Sequence, residues 1–156
     1  MITQSSTKRQ IQNWQNELQN VISDPIELLN LLELDPQLLS GALAALKQFP
    51  LRVPRSWVKR ISKGNPLDPL LAQILPRAEE LTLHPDFSTD PLNEQDNNPI
   101  PGLLHKYHGR LLLTVTSACA IHCRYCFRRH FPYSENNPGK HGWEKALDYI
   151  AQQDNI

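Results

Sequence analysis

The stretch Leu111-Leu112-Leu113-Thr114-Val115-Thr116, with Cys119-Ala120-Ile121-His122-Cys123-Arg124-Tyr125-Cys126 close behind it, decides how this chain is read. The first six residues are apolar and β-branched enough to predict a short strand buried on both faces. All three cysteines of the chain lie in the loop that follows, spaced C-x3-C-x2-C. Thiolates this close together can hold an iron–sulfur cluster by three corners, whereas four-iron clusters ordinarily take four thiolates. Three ligands leave one iron open to a small molecule. The competing reading is a closed zinc site with His122 or His130 as fourth ligand, since zinc accepts Cys3His sets. No second C-x2-C or H-x3-H accompanies the loop, which favours the cluster.

Beyond the loop, Trp143, Ala146, Leu147 and Ile150 recur at helical spacing and predict a helix from about Gly142 to Gln153. Strand, functional loop, helix is the order of the first unit of a parallel β/α barrel, whose chemistry sits at the C-terminal ends of its strands. The expected fold class is therefore α/β, a helical N-terminal domain followed by the first β/α unit of a barrel.

The first 76 residues read as short helices. Ile11, Trp14, Leu18, Val21 and Ile22 form one stripe, and three Asp-Pro pairs at Asp24-Pro25, Asp35-Pro36 and Asp68-Pro69 each precede a leucine-rich segment. Aspartate caps the free amides of a helix start, and proline at the first helical position already has the required φ. A further helix is expected over Pro54–Lys63, with Trp57, Val58 and Ile61 inward and Gly64 ending it. Trp14 and Trp57 are expected as core anchors. From Arg77 to Gly102 the prolines and amides read as a crossing loop long enough to pack along another surface. The expected organisation is a helical domain over 1–76, a linker over 77–104 and the start of a core domain over 105–156.

Composition narrows the function classes. Apolar residues at 40% and charged residues at 21% suit a soluble globular protein. Lysine plus arginine balance aspartate plus glutamate at 16 each, so charge gives no reason to propose a nucleic-acid or membrane partner. The N-terminus lacks a basic region followed by an apolar core. An odd, clustered set of cysteines argues for a reducing compartment, and the cytoplasm is the expected location.

The cysteine spacing, with an aromatic residue just before the last cysteine, resembles the radical S-adenosylmethionine enzymes. Within them Leu103-Leu104-His105-Lys106-Tyr107-His108-Gly109-Arg110 and Phe127-Arg128-Arg129-His130-Phe131-Pro132-Tyr133 resemble the lysine 2,3-aminomutases. Leu51–Ser56, Lys63–Pro66 and Phe87–Leu92 support the resemblance, although His108-Gly109 departs from the Pro-Asp of the free-lysine enzymes. The resemblance implies a [4Fe-4S] cluster on Cys119, Cys123 and Cys126, with S-adenosylmethionine near Tyr125. It implies pyridoxal 5'-phosphate contacted by Lys106, Tyr107 and Arg110, and a substrate carboxylate received by Arg128. The implied reaction converts L-lysine to (R)-β-lysine, with a functional link to elongation factor P and its lysyl ligase and an electron donor such as flavodoxin or ferredoxin. An aminomutase for another amino acid and a non-catalytic metal- or partner-binding fragment are the alternatives. The family's Ser-Gly-Gly-Asp-Pro stretch, its cofactor-binding lysine and its ammonium-binding carboxylates have no counterpart before Ile156. The resemblance therefore implies the N-terminal part of a longer enzyme, inactive alone.

Overall fold

A helix can begin only where something satisfies its first free amides, and two of the three Asp-Pro pairs do this directly. The structure, a computed structural model, describes residues 13–137 and 142–156. It divides into two units, Met1–Leu83 with Cys119–Cys126, and His84–Ala118 with Phe127–Ile156.

In the first unit the chain is helical over 13–19 (α1), then over Pro25–Leu31 (α2), Leu38–Leu46 (α3), Arg55–Val58 (α4) and Pro69–Ala72 (α5), with a 3₁₀ turn at Ala78–Leu81. Asp24 caps α2 by accepting from the Ile26 amide at 2.9 Å. Asp68 caps α5 by accepting from Leu70 and Leu71 at 2.8 and 3.2 Å. Asp35 instead accepts from Gln37 at 2.8 Å and forms the turn that leads into α3. The leucines behind these caps meet in one core, where Ile22, Leu28, Leu71 and Ile74 are fully buried beside Leu32, Leu51, Val53 and Leu75. Burying a side chain of this size stabilises the fold by about 1.5–3 kcal/mol. Gly41 of α3 lets the 3₁₀ turn approach closely, because a Cβ there would stand 3.1 Å from Ala78.

Two expectations for this unit are corrected. Trp14 is 53% exposed rather than a core anchor, because the chain first enters the core at Ile22, which pairs with Val53. Ile11, in the same expected stripe, lies outside the described residues. The helix expected over Pro54–Lys63 is only α4. Its last bonds tighten to Arg60–Trp57 and Ile61–Val58 contacts, and the Ser62 amide is taken by the Asp68 carboxylate at 2.9 Å. Trp57, Val58 and Ile61 nevertheless pack on the core as expected.

In the second unit Leu103–Tyr107 (β1) and Arg110–Leu113 (β2) pair antiparallel, with Leu103 opposite Leu113 and Leu104 opposite Leu112. The chain reverses at His108-Gly109, where Gly109 has φ +72°. This hairpin corrects the expected strand. The run from Leu111 has the pattern of a strand buried on both faces, yet β2 stops at Leu113 and its residues alternate between exposed and half-buried. Thr114 bonds back to the Gly102 carbonyl at 2.7 Å, ending the ladder. A two-residue reversal through a glycine favours antiparallel pairing, which is why β1 and not a distant strand is its neighbour. Trp143–Ala151 (α6) forms as expected, but Leu147 is 61% exposed while Ala146 is buried. The architecture is thus mixed, with helices and a two-stranded sheet among the described residues.

Candidate functional site

The cysteine loop belongs to the helical unit, and its backbone is held by that unit's own groups. Arg52 Nε donates to the Cys119 carbonyl at 3.0 Å, and the His122 amide donates to the Arg52 carbonyl at 2.9 Å. The Arg124 amide donates to the Gln73 carbonyl at 2.8 Å. Between the last two cysteines the chain closes a turn, with the Cys126 amide on the Cys123 carbonyl at 3.0 Å. All three cysteines are free thiols, Cys119 exposed and Cys123 and Cys126 half-buried. Free thiols on one pinned loop are a donor set that suits a metal–sulfur cluster. Among the described residues, however, no three histidine, cysteine or carboxylate side chains are gathered into a preformed metal site.

Tyr125 projects from this loop, 69% exposed, with its hydroxyl 3.4 Å from Gln73 Oε1. The neighbouring Cys123 thiol holds the phenol above its ordinary pKa. His122 is half-buried, its Nδ1 3.0 Å from the Pro50 carbonyl and its ring stacked on Phe49. That is a packing role. His130 is exposed, and His141 lies outside the described residues.

The four remaining candidates meet in the second unit. Lys106, Tyr107, Arg110 and Arg128 line one cavity of about 330 Å³, together with Glu94 and Leu104. This is the lower end of the size range of small-molecule sites. Three cations face one carboxylate there, so the cavity favours an anionic ligand. Lys106 Nζ donates to the Leu92 carbonyl, and the Arg110 guanidinium lies 4.7 Å from the centre of the Tyr107 ring. Arg128 is the most constrained member. Its Nε and Nη2 donate to the Glu94 carboxylate at 2.9 and 2.6 Å, and that bonding holds the guanidinium above its ordinary pKa. The Arg128 and Glu94 side chains are only 26% and 12% exposed.

Sequence reasoning misses Glu94, which sits in a stretch with the polar composition of a loop. The available signal was Asp90-Pro91-Leu92-Asn93-Glu94. Asp90 accepts from the Glu94 and Gln95 amides, each at 2.9 Å, and so fixes the carboxylate that meets Arg128. It also missed Glu80 and Arg52, whose partners lie 44 and 67 residues away.

No protein-family model matches the chain. It is 54% identical over 142 residues, 90% of its length, to a protein of Escherichia coli K12 named L-lysine 2,3-aminomutase, of which it covers 41%. It is 47% identical over its whole length to the Haemophilus influenzae protein of that name, covering 46% of it, and 32% identical over 139 residues to that of Clostridium subterminale. The chain is homologous to the L-lysine 2,3-aminomutases and spans less than half the length of these curated relatives.

Proposed function

We propose that this chain is part of a radical S-adenosylmethionine isomerase that moves the amino group of L-lysine from Cα to Cβ. What supports the reading is the 47% identity of the entire chain to an L-lysine 2,3-aminomutase. Cys119, Cys123 and Cys126 would hold a [4Fe-4S] cluster, and Tyr125 would border S-adenosylmethionine. When bound, the cluster and S-adenosylmethionine supply the means to break an unactivated C–H bond, and pyridoxal 5'-phosphate supplies a carbonyl to hold the amino group.

The chain's own residues bind and orient. Lys106, Tyr107 and Arg110 give the cavity a cationic, aromatic wall for a phosphorylated cofactor. Arg128 receives the substrate carboxylate, because a planar guanidinium can meet it with two parallel bonds. The net reaction exchanges an amino group and a hydrogen between neighbouring carbons, so no electrons are gained or lost overall. A β/α barrel that opens with the run from Leu111, the supply of (R)-β-lysine for elongation factor P and its lysyl ligase, a flavodoxin- or ferredoxin-type donor and a cytoplasmic location belong to the same proposal. Among the described residues no helix is long and apolar enough to cross a membrane.

The test is anaerobic reconstitution of the protein carrying this chain with iron, sulfide and pyridoxal 5'-phosphate, then incubation with S-adenosylmethionine, reductant and L-lysine. β-Lysine detected by mass spectrometry, and lost in Cys119→Ala, Cys123→Ala and Cys126→Ala, supports the proposal. A colourless, zinc-containing protein that turns over no lysine would sink it.

A further inference from the structure

The loop with the three cysteines contains one buried charge. Arg124 lies between Cys123 and Cys126 in sequence, yet it is 9% exposed. All three guanidinium nitrogens are engaged. Nε meets Glu80 Oε1 at 2.9 Å, Nη2 meets Glu80 Oε2 at 2.6 Å, and Nη1 meets the Phe49 carbonyl at 2.9 Å. The guanidinium also lies 5.1 Å from the centre of the Phe49 ring. Glu80 is held in turn by the Arg77 amide at 3.0 Å. Taking both charges out of water is costly, and a well-packed apolar pair would often be as stable. What an apolar pair cannot supply is a fixed direction. A two-pronged arginine–carboxylate contact sets the orientation of the residue that carries it.

We propose that Arg124 and Glu80 are positioning residues for the iron–sulfur cluster: they lock the Cys123–Cys126 turn onto the helical unit, so that the thiols stay aimed at the cluster. The inference rests on the reading that these cysteines hold it. The lock works with the backbone anchors at the Cys119 carbonyl and the His122 and Arg124 amides, all of which find partners among residues 49–52 and 73. The helical unit is then the scaffold of the cluster and not an appendage beside it. Groups that orient metal ligands in this way typically change metal affinity by about 10–100-fold when removed.

The experiment compares the wild-type protein carrying this chain with R124K and the double variant R124M/E80M, all reconstituted anaerobically with ferrous iron and sulfide. Far-UV circular dichroism reports the fold, iron per chain reports uptake, and the rate of iron loss to a ferrous chelator reports how firmly the thiols are held. The expected result is a folded R124M/E80M that takes up iron and releases it about tenfold faster or more. R124K, which keeps the charge and loses the fork, falls between the double variant and wild type. A folded double variant that releases iron at the wild-type rate overturns the inference. Should that variant fail to fold, R124K decides alone, faster loss supporting the lock and wild-type retention overturning it. C123A separates the two claims. If it binds as much iron as wild type, the cluster assignment falls and the lock with it, whereas loss of iron in C123A with normal release in R124K overturns the lock only.

Discussion

Arg128 and Asp68 show how much a single side chain can carry when its partners are fixed. Arg128 faces a cavity that holds Lys106, Tyr107 and Arg110, and its guanidinium plane is set by Glu94. On the proposal that Arg128 receives the substrate carboxylate, Arg128→Lys keeps the charge but loses the fork, and the contact with substrate should weaken by about 1.5–3 kcal/mol. Lysine dependence measured on the protein carrying this chain should shift upward by about ten- to a hundredfold, with iron content unchanged. An unaltered dependence would make Arg128 a structural partner of Glu94 and nothing more. Asp68 accepts three backbone amides, and the Ser62 amide above all holds its carboxyl below the usual aspartate value. Its folded-state pKa is depressed, so its stabilisation is present above the ordinary value of about 3.9 and is lost as pH falls through the lower one. Asp68→Asn should therefore lower Tm at pH 7, and the gap to wild type should close in acid. A gap independent of pH would show that the charge contributes nothing. The helix cap of Asp68 was legible because Asp-Pro before a leucine run has a local cause. Its bond to Ser62 was not, because it depends on α4 ending at Val58.

At the scale of elements, the hairpin is where pattern and structure part. Leu111–Thr116 has the composition of a buried strand, but Gly109 reverses the chain just before it and makes β1 its partner. A window that begins at Leu111 cannot contain that signal. The turn also explains why His108-Gly109 matters, since a left-handed φ costs a residue with a Cβ roughly 1–2 kcal/mol. Gly109→Ala should loosen the pairing of Tyr107 with Arg110 by about that amount, read as faster amide exchange in β1 and β2 with the helical unit's amides unchanged. Equal exchange in the two proteins would mean that the turn does not hold the register. The short helices were more legible than the sheet, because each has its cap and its apolar face within a few residues. Lys106, Tyr107 and Arg110 are singled out by motif alone, and the cavity that gathers them depends on the hairpin that pattern missed.

For the whole molecule, the informative fact is that chain order and spatial grouping differ. Residues 119–126 cluster with Met1–Leu83, although 35 residues of the second unit intervene between Leu83 and Cys119. Nothing in the local sequence announces this, because the anchors are single contacts between residues far apart, such as Arg124 with Glu80 and Arg52 with Cys119. The grouping has a measurable consequence. Leu71 is fully buried in the helical core, and Leu71→Ala should cost about 2–5 kcal/mol. If the cysteine loop is part of that unit, the amides of His122 and Arg124, which bond to Arg52 and Gln73, should lose protection together with those of α2 and α5. Leu103 is equally buried in the second unit, and Leu103→Ala should relax the hairpin amides while leaving His122 and Arg124 protected. Residue-resolved hydrogen exchange on the two variants separates the cases. If His122 and Arg124 follow Leu103 instead of Leu71, the loop draws its order from its neighbours in sequence, and the helical unit is not what holds it.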